Sequence, residues 1–130
     1  MRMFLGVVAA VSLSFGAGVA AGQASYISGN DLYRDCTAPQ SDSTYYQLTA
    51  SCTSYILGVN DAFVTGSIVA GLVRAEETSS TMEMLCVPVG VEAGQLRDIV
   101  VSHLRNNPAE RHESASLQVL IALRTQYPCA

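Results

Sequence analysis

An all-α fold, a small disulfide-bonded bundle of about four helices, is predicted for this chain by three observations. Apolar residues recur at three- and four-residue intervals along most of it, which is the period of amphipathic helices. No segment sustains the period-two alternation of a half-buried strand, and there are no internal repeats. All four cysteines, Cys36, Cys52, Cys86 and Cys129, follow an apolar leader. An even count in a small exported domain reads as two disulfides.

The leader comes first. Met1-Arg2-Met3 precedes an apolar, uncharged run from Phe4 to Ala21, the n-region and h-region of a secretory signal peptide. Small residues in Val19-Ala20-Ala21 and in Gly22-Gln23-Ala24 offer cleavage after Ala21 or after Ala24, and the second is favoured. The run is just long enough to cross a bilayer core of roughly 30 Å. Its Gly, Ala and Ser content makes it weakly hydrophobic, so removal is expected, with no stable membrane insertion afterwards. Residues 25–130 then form a single domain, long enough for one core. Without Arg2 the mature chain has six arginines against eleven acids, a net charge of −5, and it contains no lysine. That balance argues against nucleic acid and suits electrostatic steering toward a basic partner.

In the mature part, Ser28-Gly29-Asn30-Asp31 offers capping residues ahead of Leu32 and Cys36, predicting a short helix over 28–36. Turn formers and Pro39 in 37–43 predict a loop. Between Thr44 and Leu72, the positions Leu48, Cys52, Tyr55, Ile56, Val59, Ala62, Phe63 and Ile68-Val69 follow the helical period without a proline. This is one helix, or two bent near Gly66, where Thr65-Gly66-Ser67 combines weak helix formers. The polar stretch from Arg74 to Leu85 is the longest candidate surface loop. Cys86-Val87-Pro88-Val89-Gly90 reads as an extended entry strand, because a residue before proline leaves helical geometry, and glycine permits a turn. Leu96, Ile99, Val100, Val101 and Leu104 mark a helix between Glu92 and Asn106. Asparagine followed by Pro108 closes it and opens a last helix, expected to run from Pro108 to Gln126 with apolar residues on more than one face. Pro128 stops that helix and Cys129 tethers the terminus.

Catalytic groups are sparse. His103 and His112 are read as surface or interface histidines, and Glu76-Glu77 and Glu110 with Glu113 as solvated faces. No nucleophile elbow, phosphate-binding loop or His-Glu-x-x-His is present. No Cys-x-x-Cys pair exists and neither histidine stands at ligand spacing from a cysteine, so no metal and no cofactor are expected. Oxidised cysteines leave no thiolate. The chain is not read as an enzyme. Asp61, between Val59 and Phe63, is expected to be partly buried and to need a partner, and Gly58 to let another helix approach closely.

Several pieces carry a likeness. They are Gly29-Asn30-Asp31-Leu32 with Cys36; Cys52-Thr53-Ser54-Tyr55-Ile56-Leu57-Gly58-Val59-Asn60-Asp61-Ala62; Cys86-Val87-Pro88-Val89-Gly90-Val91 with Gln95-Leu96; His103-Leu104 to Pro108; and Ala122-Leu123 with Tyr127-Pro128-Cys129. With these, the chain resembles the Rap/Tai family of immunity proteins, which neutralise peptidoglycan-cleaving toxins delivered by type VI secretion. Tyr55, Gly58, Asp61, Pro88 and Pro128 are the motif positions beside the cysteines. One departure is Glu92, where the family usually has a hydroxyl residue that would form a capping box with Gln95; glutamate is a poorer cap.

The resemblance implies a periplasmic binding protein that occludes the active site of a cell-wall amidase or similar effector, with no catalytic residues of its own. The candidate inserted element is the polar segment holding Glu76, Glu77, Thr78, Ser79, Ser80 and Glu83, whose plainer reading is an ordinary connection. A homodimer stays open. The alternative is a periplasmic stress chaperone resembling the HdeA-type proteins. Those lean on many charges, whereas 14% of residues are charged here. Likeness to such helical stress proteins favours pairing Cys52 with Cys86 and Cys36 with Cys129, each closing a long loop and stabilising by roughly 3 to 5 kcal/mol in the chain-entropy model. The competing pair is Cys86 with Cys129, which an antiparallel hairpin of the last two helices would bring together.

Overall fold

The computed structural model describes residues 26–73 and 85–130. The leader and the polar segment 74–84, with the expectations attached to them, lie outside the described residues. Four α-helices follow in order: α1 (Gly29–Cys36), α2 (Tyr45–Val73), α3 (Ala93–Asn106) and α4 (Ala115–Gln126). A 3-10 turn, Pro108–Glu110, stands between α3 and α4. No strand occurs among the described residues; the sole ladder contact is a single antiparallel bridge between Ser28 and Ser114. The all-α expectation holds, but the expected entry strand over 86–90 is corrected: the segment is irregular chain ending in a turn, because no strand pairs with it among the described residues.

Side-chain hydrogen bonds mark the starts of α1, α2 and α3, whereas Ser114 before α4 makes no side-chain cap bond. Ser28 Oγ accepts from Asp31 N–H at 3.2 Å, and Asp31 Oδ2 accepts in return from Ser28 N–H at 3.2 Å and from its hydroxyl at 2.6 Å. This capping box holds the Asp31 carboxyl below its ordinary range, chiefly through the Ser28 hydroxyl. Before α2, Asp42 Oδ1 accepts from the Thr44 amide at 2.8 Å and the Thr44 hydroxyl at 2.7 Å, turning the loop into the helix. At α3, Gln95 Oε1 accepts from Glu92 N–H at 2.9 Å, so the reach back from Gln95 persists without a hydroxyl at position 92.

Of the two readings for α2, the unbroken one is observed: the helix runs 29 residues through Gly66. The weak helix formers there do not interrupt it, and Ser67 Oγ donates back to the Phe63 carbonyl at 2.9 Å. The expected last helix is corrected. It does not run from Pro108; the chain breaks after the 3-10 turn and α4 begins at Ala115. The reason is tertiary. Gly29 N–H donates to Glu113 O at 2.8 Å and Asn30 N–H to Arg111 O at 2.7 Å, so these carbonyls serve the N-terminus of α1 and not a helix of their own.

The core is one cluster drawn from all four helices and from Leu85 in the lead-in to α3: Leu32, Cys52, Ile56, Leu85, Leu96, Val100, Leu104, Ala115, Val119, Ala122 and Leu123. Leu96, Val100 and Leu104 stand four apart and form the inner stripe of α3, which packs most extensively on α4.

The favoured cysteine pairing is also corrected. The bonds are Cys36–Cys52, with Cα atoms 5.1 Å apart, and Cys86–Cys129, with Cα atoms 5.2 Å apart. The short loop 37–44 folds the end of α1 back on α2, which places Cys36 beside Cys52. The α3–α4 hairpin in turn brings the lead-in to α3 alongside the chain terminus, the geometry of the competing pair. Both bonds join elements already adjacent, whereas the favoured pairing would have to cross between the two halves.

Candidate functional site

Two regions gather polar or apolar groups beyond the needs of a simple core. The first is a polar joint where the connection between α3 and α4 crosses the start of α1. Arg111 extends from this connection, places its guanidinium 3.9 Å from the centre of the Tyr33 ring, and donates through Nε to the Leu104 carbonyl and through a terminal nitrogen to Arg105 O at 3.3 Å. A cation is thus seated at the C-terminus of α3, where the last carbonyls lack helical partners and the helix dipole is negative.

Behind it, His103 Nε2 lies 3.0 Å from Oε1 of Gln118, a residue only 1% exposed. Asn107 Nδ2 donates to the His103 carbonyl at 2.8 Å and stands 3.3 Å from its Nδ1. Gln118 and Asn107 thus occupy the two ring nitrogens of His103. Gly29 closes the joint: a Cβ there would meet the Arg111 carbonyl oxygen at 2.9 Å and Gln118 Cγ at 3.2 Å. Arg111, His103 and Asn107 are all engaged by neighbours across the joint. It locks α1, α3 and α4 together.

The second region is a groove of about 470 Å³ between the C-terminal half of α2 and the lead-in to α3. It is lined by Val64, Ser67 and Ile68 from the helix and by Leu85, Val87 and Val89 from the facing segment. Leu85 is buried, yet Val64 is 39% exposed, Ile68 59%, and Val89 fully exposed. The facing segment is held rigidly. Cys86 is bonded to Cys129, Val91 N–H donates to Pro88 O at 3.3 Å, and Gly90 adopts φ +94°, a left-handed conformation that lets the chain turn with Val89 at its tip. A contiguous exposed apolar patch of this kind is a common mark of an interaction surface.

The residues singled out by the sequence fall unevenly around these regions. Tyr55 is half-buried against the core, and Pro88 borders the groove. Gly58 does not admit a close helix: it is exposed and a Cβ would meet nothing within 4 Å. Asp61 is not buried either, but exposed on α2. Both expectations failed for one reason. The core-facing stripe of α2 runs through Cys52 and Ile56 toward Phe63, and positions 58 and 61 lie off it. Next to Asp61, the Oδ1 atom of Asn60 is buried without a hydrogen-bond partner, while its Nδ2 lies 3.4 Å from Asp61 Oδ1. His112 is exposed, with Nδ1 2.9 Å from the Ala109 carbonyl, and Pro128 is an exposed residue beside the terminal disulfide. Glu76, Glu77, Thr78, Ser79, Ser80 and Glu83 lie outside the described residues.

Sequence reasoning missed Arg111, Gln118 and the groove valines. Arg111 and Gln118 carry no local signal, since their partners are distant in the chain. The groove had one: Val64, Ile68 and Val69 make the end of α2 apolar on more sides than a four-helix bundle can bury. Among the described residues, no group of three or more His, Cys, Asp or Glu is placed to hold a metal, and no helix is long and apolar enough to cross a membrane.

The family model of the Rap1a immunity proteins matches residues 28–129. The chain belongs to this family. The matched span opens on Ser28, the cap of α1, and closes on Cys129, so it contains both disulfides and all four helices of the Rap1a domain. No curated protein and no solved structure matches the chain. Membership of the Rap1a family makes a protein effector the expected binding partner, and the two disulfides are consistent with export to an oxidising compartment.

Proposed function

We propose that this chain is a periplasmic immunity protein that neutralises a peptidoglycan-cleaving, amidase-like effector of type VI secretion by covering the effector's active site. The observation that carries this reading is the Rap1a match over residues 28–129. Physical support comes from the arrangement itself. A bundle cross-linked at both of its hairpins is a preorganised surface, and preorganisation lowers the entropic cost of binding. Inhibition by coverage asks for shape and a few anchoring side chains, not for a nucleophile or a metal. The segment 76–83 is the proposed inserted element. Residues 1–24, a signal peptide in this reading, direct the domain to the compartment where the effector acts.

The test is a contact-dependent competition between sister cells. A strain lacking this protein is expected to lyse beside a type VI-active sister and to be rescued by the full-length chain. Rescue is expected to fail when residues 1–24 are deleted. Survival of the unprotected strain overturns the reading, and rescue by the leaderless form overturns the periplasmic site of action. Recovery of many unfolded clients on the purified chain in acid, with no stoichiometric hydrolase at neutral pH, would replace it with the chaperone alternative.

A further inference from the structure

We propose that the groove between α2 and the Leu85–Val91 segment seats an apolar side chain of the effector, with a basic residue of the effector beside it pairing with Asp61. This inference rests on the immunity reading and adds the surface and the chemistry of the partner.

Three features of the structure support it. The walls carry exposed branched side chains, Val64, Ile68 and Val89, on two rigid supports, a continuous helix and a turn tied down by the Cys86–Cys129 bond. A pocket already shaped for an apolar anchor is the usual centre of a protein interface. Asp61 lies three and seven residues before Val64 and Ile68, hence on the same face of α2. It is also a carboxylate outside the ion pairs of the described residues. Asp31 and Asp35 pair with Arg34 and Asp98 with Arg97, all within 3.5 Å, whereas Asp61 has no cation among the described residues. Glu92, exposed just past the turn, has none either.

An apolar groove whose two walls continue into Asp61 on α2 and Glu92 after the turn, neither in an ion pair among the described residues, on a chain of net charge −4, complements an apolar side chain flanked by arginine or lysine. The same charges argue against other occupants. A second copy seated symmetrically would bring the same carboxylates toward each other. An anionic lipid surface would be repelled.

The experiment uses the full-length chain in the competition described above, so the effector arrives from the attacking cell. Ile68→Glu and Val89→Glu are compared with Leu117→Glu, a remote control on α4 where Leu117 is 43% exposed. All replaced side chains are surface-exposed, and circular dichroism checks that helicity is kept. Protection is expected to fall about tenfold or more for the two groove variants and to be retained by the control, with Asp61→Arg reducing it by a similar factor. A photo-crosslinker at position 68 is expected to capture a protein whose hydrolase activity is lost in the adduct.

Equal protection by wild type, Ile68→Glu and Val89→Glu would overturn the groove while leaving the immunity reading intact. Absence of protection by the wild type would remove both. A crosslink to a second copy, or within the same chain, would likewise overturn the proposal, because the groove would then be filled without the effector.

Discussion

Arg111 stands with its guanidinium 3.9 Å from the centre of the Tyr33 ring while donating to the carbonyls of Leu104 and Arg105, so one side chain joins α1 to the end of α3. The Arg111 backbone carbonyl, accepting from Asn30 N–H at 2.7 Å, ties the same residue to the first turn of α1. Replacing Arg111 with alanine removes a charge-assisted bond and a cation–π contact, and is expected to cost about 2 kcal/mol in urea unfolding. Arg111→Lys is expected to recover less than half of that, because a point charge cannot stack on Tyr33 and reach two carbonyls together. Full recovery by lysine would show that charge alone matters there.

Gly29 and Gly58 make opposite predictions. A Cβ at Gly29 would press on the Arg111 backbone at 2.9 Å, so Gly29→Ala is expected to destabilise by about 2 kcal/mol through displacement of the joint. At Gly58 the space is open and the backbone is helical, so Gly58→Ala is expected to stabilise by about 0.5–1 kcal/mol. Thermal unfolding of the two variants side by side reads both signs, and a loss of stability at position 58 would mean that α2 meets something there.

The disulfides are separately removable. In the chain-entropy model the 16-residue separation of Cys36–Cys52 corresponds to about 3 kcal/mol and the 43-residue separation of Cys86–Cys129 to about 4 kcal/mol. Double serine variants of each pair are expected to lose stability in that order. Unreduced peptide mapping is expected to recover Cys36 with Cys52 and Cys86 with Cys129, and a Cys52–Cys86 peptide would contradict the fold.

Acid affects the cap of α1. The Asp31 carboxyl is held below its ordinary value of 3.8, mainly by the Ser28 hydroxyl, then by the Ser28 amide and Arg34. A carboxyl lowered on folding stabilises the native state fully above its unfolded pKa, and that contribution is lost as pH falls through the lowered folded value. The stability gap between wild type and Asp31→Asn is therefore expected to be constant near neutrality and to shrink below about pH 4. A gap unchanged down to pH 2 would mean that the cap does not depend on the charge.

Buried Gln118 offers a further check. Gln118→Ala strips His103 Nε2 of its hydrogen-bond partner and opens space beside Gly29, with an expected loss of about 2–3 kcal/mol. A double-mutant cycle with His103→Ala is expected to show coupling, since the two share one hydrogen bond, and strict additivity would remove the bond from the account.

What the sequence determined by itself was local. The helical period of Leu96, Val100 and Leu104, the Ser28–Asp31 cap and the turn at Pro88–Gly90 depend on neighbours a few residues away, and each is found where those neighbours place it. The family pieces were legible for a related reason, because they are contiguous words. The cysteine pairing, the break before Ala115, the exposure of Gly58 and Asp61, and the joint of Arg111, Tyr33, His103 and Gln118 were decided by the packed bundle alone. Periodicity says that a helix has an apolar side, but which helix meets that side, and which polar groups then find one another across the contact, depends on residues far apart in the chain. The same holds for the groove. That Val64 and Ile68 stay exposed while Leu85 opposite them is buried depends on how the lead-in to α3 lies along α2, and no window of sequence contains that distance.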